Sequence, residues 1–209
     1  MVKACIFYAT GRMNLRQNDI VSSGINFYYS VFHNCVSVVS LGPYGGFLNK
    51  GIIKWKDRLS APKKYIPCTH QELISKIEKI DQELAKILTE LQEIREYLNY
   101  GPYVCSDYKP DWQPILFTCE IDDPKKKLET YDAQIFNAFL KSSEIVNDYL
   151  NDTIQKFVFC LWGDQILKPF KGKLIFSDSL YNDSQKIWLQ IREKISPRKT
   201  SKKINKNPS

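Results

Sequence analysis

Few residues in this chain are of a type that performs acid–base chemistry near neutral pH. The chain holds two histidines, His33 and His70, and imidazole is the side chain that gains and loses protons most readily in this range. His33 lies in an apolar helical stretch, which favours a hydrogen-bonded core histidine but leaves a catalytic role open. His70 follows Thr69 at a predicted helix start, which favours a structural or exposed role.

The pattern of cysteines and glycines predicts neither a metal site nor a cofactor. Six cysteines are scattered without a CxxC pair or a histidine-rich partner, whereas metal ligands cluster at short spacing. Several lie in apolar runs, where cysteine behaves as a small buried hydrophobe. The glycine-rich loop GPYGG at 42–46 lacks the Gly-Lys-Ser/Thr ending of a phosphate-binding loop.

The basic character of the chain is concentrated at its end. The formal net charge is +7, and five positive charges without an acid lie within 196–209, on Arg198, Lys199, Lys202, Lys203 and Lys206. Such a segment is predicted to be a disordered basic tail. It is either a solubilising terminus or a sequence-independent contact for RNA, DNA or an acidic membrane.

Apolar periodicity predicts a mainly α protein that begins with two helices. The first covers residues 2 to about 17, and the second runs from Asp19, as N-cap, to about Leu41. The second helix is apolar on most sides, so we expect it in the middle of the core, where Gly24 permits close packing.

One long helix is predicted over 70–99, where no glycine or proline interrupts a 4-3-4-3 apolar seam. A capping box formed by Thr69 and Glu72 precedes it, and Gly101-Pro102 ends it. The seam fits either a coiled coil with a partner chain or, as we favour, one helix of an antiparallel bundle.

The C-terminal half is predicted to combine long loops with two more helices and a short β hairpin. The strand candidates are 113–121 and 172–179. A helix starts after Asp123-Pro124, Asn151-Asp152 interrupts its apolar phase, and a last helix covers about 182–195. We therefore predict a single domain over 1–195.

Several strings resemble the HEPN superfamily of helical domains, especially its compact bacterial members. YYSVFHN, at 28–34, is similar to the string on the second helix of that family, and Thr69-His70 is similar to the start of its third helix. Arg95, followed by Asn99, Tyr100 and Gly101, resembles the end of its next helix. The resemblance covers roughly 15–160, apart from inserts at 42–66 and 101–127.

The resemblance implies a helical bundle that forms a homodimer and, in many members, a metal-independent ribonuclease. Its motif is an arginine and a histidine separated by four to six residues, near the dimer seam. A histidine can take the ribose 2′-OH proton or protonate the leaving oxygen. An arginine can hold the scissile phosphate.

This chain departs from that motif, because none of the six residues after Arg95 is a histidine. Tyr100 takes the position, but a phenol with a pKa of about 10 is a poor base at neutral pH. The catalytic candidates are therefore Arg95, Tyr100 and His33. The RNA-binding candidates are Arg95, Asn99 and the tail residues Arg198, Lys199, Lys202 and Lys203. Alternatively, Arg95 has no functional role: the aliphatic part of its side chain packs along the apolar seam, and its guanidinium stays in water.

The preferred hypothesis is a non-catalytic, HEPN-like binding protein of the cytoplasm that contacts RNA. Its expected partners are a second copy, RNA and a protein encoded nearby, without a membrane. The alternative is a metal-independent endoribonuclease of toxin–antitoxin or defence type, with Arg95 and a substitute acid/base. A third reading, an accessory subunit that docks through 70–99, is disfavoured because the outward charges of this helix alternate in sign.

Overall fold

The computed structural model describes residues 1–41, 69–100, 122–150, 152–171 and 177–195. These residues form seven α-helices and no strand, which confirms the predicted mainly helical class. The helices are α1 Val2–Arg16, α2 Ile20–Leu41, α3 His70–Glu78, α4 Gln82–Tyr100, α5 Asp122–Tyr149, α6 Thr153–Leu167 and α7 Asp178–Ile195, with a 3-10 turn Lys168–Phe170 after α6. The strand predicted at 113–121, most of the one at 172–179, and the basic tail lie outside the described residues.

Helix α2 lies at the centre of the fold, as its apolar sequence predicts. It packs against α1, α3, α4 and α5, and its Phe27, Tyr28 and Cys35 are fully buried. The helix begins where Asp19 Oδ1 accepts a hydrogen bond from the Ser22 amide at 3.0 Å. Gly24 admits α4 at close range, because a Cβ there would overlap the side chain of Leu98.

The prediction of a single helix over 70–99 is wrong, because the chain forms two helices there. The Thr69–Glu72 capping box is present at the start of α3. At the end of α3 the Ile80 amide donates a hydrogen bond to the Ile77 carbonyl, which makes a tighter turn than that of an α-helix. Asp81 then caps α4, accepting from the Leu84 amide at 2.9 Å. A second N-cap residue thus restarts the helix without a glycine or a proline.

The apolar seam of these two helices is covered by the chain itself. Its buried members are Leu73, Ile77, Leu84, Ile87, Leu91 and Ile94. Helix α3 packs on α2 and α4, and α4 packs on α2. This arrangement matches the bundle interpretation, and no coiled-coil partner is needed to bury the seam.

Helices α6 and α7 begin at polar caps, and α7 closes the bundle. Asp152 Oδ1 accepts from the Gln155 amide at 2.7 Å, at the predicted interruption. Ser177 Oγ accepts from the Leu180 amide at 3.2 Å, so α7 starts one turn before the predicted position of about 182. Helix α7 packs against α1, α5 and α6, which brings the first and last helices of the described chain into contact.

A buried polar pair joins α2 to α5 and gives a test of the core. Asn34 Nδ2 donates to Ser142 Oγ at 2.7 Å, and Asn34 Oδ1 is buried without a hydrogen-bond partner. We expect Ser142→Ala to lower the free energy of unfolding by about 1–3 kcal/mol, because the whole amide would then be buried unpaired. Urea denaturation measures this loss.

The neighbouring residue supplies the control for that substitution. Ser143 is also buried, but its hydroxyl donates to the Phe139 carbonyl of its own helix at 2.7 Å. Ser143→Ala removes this hydrogen bond within one helix but leaves no buried side-chain amide without a partner. We therefore expect the free energy of unfolding to fall by less than about 1 kcal/mol. Equal losses in the two variants would contradict the importance of the Asn34 pair.

Candidate site around Arg95

Arg95 lies on α4 with its guanidinium against two tyrosine rings of α2. Its Cζ is 5.5 Å from the Tyr28 ring centroid and 5.7 Å from that of Tyr29, which is within the range of cation–π attraction. Its Nη2 donates to Tyr29 Oη at 3.4 Å. Arg95 and Tyr29 are half-buried, whereas Tyr28 is fully buried. The helices α2 and α4 thus place one cation on an aromatic platform.

His70, at the start of α3, joins the same platform from another helix. Its imidazole stacks on the Tyr28 ring, with centroids 5.6 Å apart, and packs on Phe32 at 4.9 Å. The Tyr28 hydroxyl is hydrogen-bonded to His70 Nδ1. Tyr28 therefore contacts both His70 and Arg95, and the three residues come from three helices.

The Tyr28–His70 hydrogen bond joins two side chains that burial keeps uncharged at neutral pH. Burial raises the pKa of Tyr28. The pKa of His70 is lowered by burial and by the charge of Arg95, while Glu96 opposes this change. A neutral phenol and a neutral imidazole result at pH 7, and the hydrogen bond is assigned with the hydroxyl as donor and Nδ1 as acceptor. The ring proton of His70 is then on Nε2.

His33 packs among aromatic rings of α1 and α2. It stacks on Phe7 with centroids 5.3 Å apart and on Tyr29 at 6.3 Å. Burial lowers its pKa from 6.5 to about 4, and the charges of Lys3 and of the N-terminus act in the same direction. His33 is half-buried in an aromatic stack, and its catalytic role stays a prediction.

This depressed pKa predicts a loss of stability in acid. Below about pH 6.5 the imidazole of the unfolded chain gains a proton, whereas that of folded His33 stays neutral until about pH 4. The free energy of unfolding therefore falls as the pH drops through this window. We expect His33→Phe, which keeps an aromatic ring, to reduce the difference in urea midpoint between pH 7.5 and pH 4.5. An unchanged pH dependence would contradict the assignment.

The remaining site residues predicted from the sequence are only partly placed. Asn99 and Tyr100 belong to the last turn of α4, but their side chains lie outside the described part of the structure. The tail residues Arg198, Lys199, Lys202 and Lys203 lie outside it too, as does most of both inserts. Their proposed roles stay predictions.

Sequence reasoning did not select His70 as a site residue, and it overlooked Glu96. His70 is separated from Tyr28 by 42 positions, so spacing along the chain carries no sign of their contact. The Thr-His pair at the helix start was the available signal. Glu96 accepts a hydrogen bond from Gln92 Nε2 at 2.7 Å. No sequence signal marks Glu96, because an acidic residue on the polar side of an amphipathic helix is ordinary.

The described ranges contain neither a cluster of metal ligands nor a helix that could span a membrane. Within them, no group of three or more histidine, cysteine or acidic side chains is arranged to hold a metal ion. No helix in the same ranges is long and apolar enough to cross a bilayer. Cys5, Cys35 and Cys160 are buried free thiols, as expected for small core residues.

One comparison with known proteins gives a partial match. Residues 48–103 are similar to a family described as a nucleopolyhedrovirus protein of unknown function (DUF919). The match includes α3, α4 and both His70 and Arg95. No curated protein and no solved structure matches the chain.

Proposed function

We propose that the protein is a HEPN-like module that binds RNA through Arg95 without cleaving it. The observation that carries this proposal is the Arg95 guanidinium held over Tyr28 and Tyr29, beside Phe32 and His70. Arginine binds phosphate with a planar fork of donors. Half-buried aromatic rings next to such a cation provide faces on which unpaired bases stack.

The state of the two histidines favours binding over catalysis. A general base needs a free lone pair, and the Tyr28 hydroxyl occupies the lone pair of His70 Nδ1. His33 offers a weak base, because its pKa is lowered to about 4. Neither imidazole is therefore set up to remove a ribose 2′-OH proton at neutral pH.

The proposal is tested by titrating the full chain with fluorescently labelled tRNA and total RNA. We expect saturable binding that weakens as salt rises, with the RNA recovered intact on a denaturing gel. An absence of binding at low salt would contradict the RNA ligand. Cleaved RNA would contradict the non-catalytic form of the proposal and favour the next candidate.

The second candidate is a metal-independent endoribonuclease in which His70 acts as the acid. The contact of Tyr28 with both Arg95 and His70 favours it. Arg95 would hold the scissile phosphate, the protonated imidazolium form of His70 would give a proton to the leaving 5′ oxygen as the bond from phosphorus to that oxygen breaks, and water would take the proton of the attacking ribose 2′-OH. If cleavage occurs, we expect His70→Asn to slow it by about 100-fold or more while RNA affinity changes little. Undiminished cleavage by this variant would exclude His70.

A further inference from the structure

Helix α6 carries most of the exposed large apolar side chains of the described residues. Exposed fractions are 71% for Ile154, 56% for Phe157, 41% for Leu161, 44% for Trp162 and 51% for Ile166. The single other member of this class in the described ranges is Val21, at 48% on α2. The five exposed apolar side chains of α6 are called the α6 face below.

The α6 face is broad, and the other side of the helix is fixed to the bundle. At 3.6 residues per turn its five positions span about half of the helix circumference. Cys160, Gly163 and Leu167, on the other side, are buried. Trp188 of α7 lies over Gly163, and its Nε1 donates a hydrogen bond to Asp164 Oδ1 at 2.8 Å. The α6 face therefore cannot turn inward without breaking these contacts.

We propose that the α6 face binds the surface of a bilayer that contains anionic phospholipid. A helix that lies between the headgroups and the acyl chains is immersed by about 5–10 Å, and a helix with its side chains is about 10–12 Å across. A bilayer therefore covers half of a helix circumference at once, which is the width of the α6 face. No helix in the described ranges can cross a bilayer, and binding at the surface requires no crossing.

The residue types of the α6 face fit this partner. Tryptophan, phenylalanine and leucine are typical of the apolar side of helices that lie at a bilayer surface. Trp162 combines a large apolar ring with an N–H group, and such rings are enriched at the level of the headgroups. Phe157 and Leu161 lie beside each other, one helical turn apart, and provide the apolar centre of the surface.

The charges after α6 are complementary to anionic headgroups. Lys168 and Lys171 are exposed directly beyond the end of the helix, and neither takes part in an ion pair among the described residues. Asp164, the acid within α6, is paired with Arg192 at 3.1 Å. The exposed Asp152 lies at the opposite end of α6. The end of α6 near residue 168 is therefore positively charged.

The sequence supplies a second basic element. Beyond α7, the helix on which α6 packs, residues 196–209 carry five positive charges and no acidic side chain. Each lysine or arginine near an anionic bilayer adds attraction, which salt weakens. The affinity of a surface helix for a bilayer rises with the apolar area that it buries and with this attraction. The chain provides both contributions.

This surface is distinct from the Arg95 site. Arg95, Tyr28 and His70 belong to α4, α2 and α3, whereas α6 packs on α7 and α1. Binding of a bilayer through α6 therefore does not depend on RNA binding, and either proposal can fail alone.

The test is sedimentation of the full chain with vesicles of phosphatidylcholine and about 30% phosphatidylserine, which carry a negative surface potential. We expect saturable binding that weakens as salt rises, and binding about 10-fold or more weaker on phosphatidylcholine alone. Phe157→Asp with Leu161→Asp is expected to weaken binding by about 10- to 100-fold. Val21→Asp places the same charge on an exposed apolar position of α2, and we expect a change of less than about twofold. Circular dichroism checks that each variant is folded.

Tryptophan fluorescence tests whether α6 itself enters the lipid. Brominated phosphatidylcholine quenches an indole that reaches the acyl chains, and we expect it to quench Trp162. Trp162→Phe keeps an aromatic ring, so this variant is expected to bind the vesicles within about threefold of the wild type but to lose most of the quenching. Trp188 is 1% exposed and bonded to Asp164, so it stays out of reach of the lipid.

The contribution of the lysines is tested by removing their charge. Lys168→Gln with Lys171→Gln is expected to weaken binding to the phosphatidylserine vesicles by about 5- to 30-fold at low salt. Binding to phosphatidylcholine alone is expected to change by less than about twofold, because that surface carries no net charge. RNA binding by the variant with two aspartates in α6, measured by anisotropy, is expected to persist.

Five results would overturn the proposal. They are a wild-type chain that stays in solution with the phosphatidylserine vesicles, undiminished binding by the variant with two aspartates in α6, a loss of binding by Val21→Asp, full quenching in Trp162→Phe, and unchanged binding after the two lysine substitutions. Undiminished binding with both aspartates in place would assign the attraction to residues 196–209 alone. A wild type that ignores vesicles but loses mass in light scattering through the two aspartates would assign the face to a protein contact.

Discussion

Replacing Arg95 by alanine is expected to weaken RNA binding by about 10- to 100-fold. A hydrogen bond to a charged group contributes about 1.5–3 kcal/mol, and each 1.4 kcal/mol is a factor of about 10 in affinity. Arg95→Lys keeps the charge but loses the planar fork and the fit to the Tyr28 and Tyr29 rings, so we expect an intermediate loss. Anisotropy titrations at fixed salt measure both variants.

Arg12 provides a matched control for this experiment. Its Cζ also lies 5.7 Å from a tyrosine ring, that of Tyr8, and it pairs with Asp132 at 3.3 Å. Arg12→Ala removes one positive charge from another arginine–tyrosine contact, and we expect RNA affinity to change by less than about threefold. If both variants bind alike and Arg95→Ala only lowers the melting temperature, the guanidinium is a packing group and the RNA proposal fails.

Gly163→Ala is expected to be the most damaging single-methyl addition among the described glycines. A Cβ at this position would overlap the indole of Trp188. The indole cannot retreat easily, because it is 1% exposed and its Nε1 is bonded to Asp164, which in turn pairs with Arg192 at 3.1 Å. Overpacking at such a site costs about 2–3 kcal/mol. Thermal unfolding should shift down by about 5–10 °C.

Gly24→Ala is the comparison variant, since its Cβ would also meet a neighbouring side chain. The neighbour is Leu98 Cδ1, the far end of a flexible and half-buried side chain. A small rotation relieves that overlap, and alanine favours a helix over glycine by about 1 kcal/mol. We expect a net change within about 1 kcal/mol. Equal destabilisation by both variants would show that the pinned indole does not determine the cost.

Much of the helical layout is predictable because its signals are local. Asp19, Thr69 with Glu72, and Asp152 are side chains that bond amides three residues ahead, so the caps can be found along the chain. The central position of α2 follows from an apolar sequence on most of its sides. The break at Asp81 was missed because the apolar phase continues across it, and a capping aspartate also occurs on exposed helix surfaces.

The candidate site was less predictable, because it depends on contacts between distant segments. Arg95 was identified by resemblance, but its position over Tyr28 and Tyr29 requires the packing of α4 on α2. His70 and Tyr28 are 42 positions apart in the sequence, and no local spacing encodes their contact. The histidine in the YYSVFHN string was the more obvious candidate from sequence, yet it stacks on Phe7.

The contact between α1 and α7 has a consequence for biosynthesis. Helix α1 precedes the other described helices along the chain and buries part of its surface against α7, which follows them, so this surface of α1 stays uncovered until α7 has been synthesised. Until then the nascent chain exposes apolar surface, and chaperones would be needed to cover it. Premature termination before residue 178 should therefore yield insoluble fragments, although six of the seven described helices would have been synthesised.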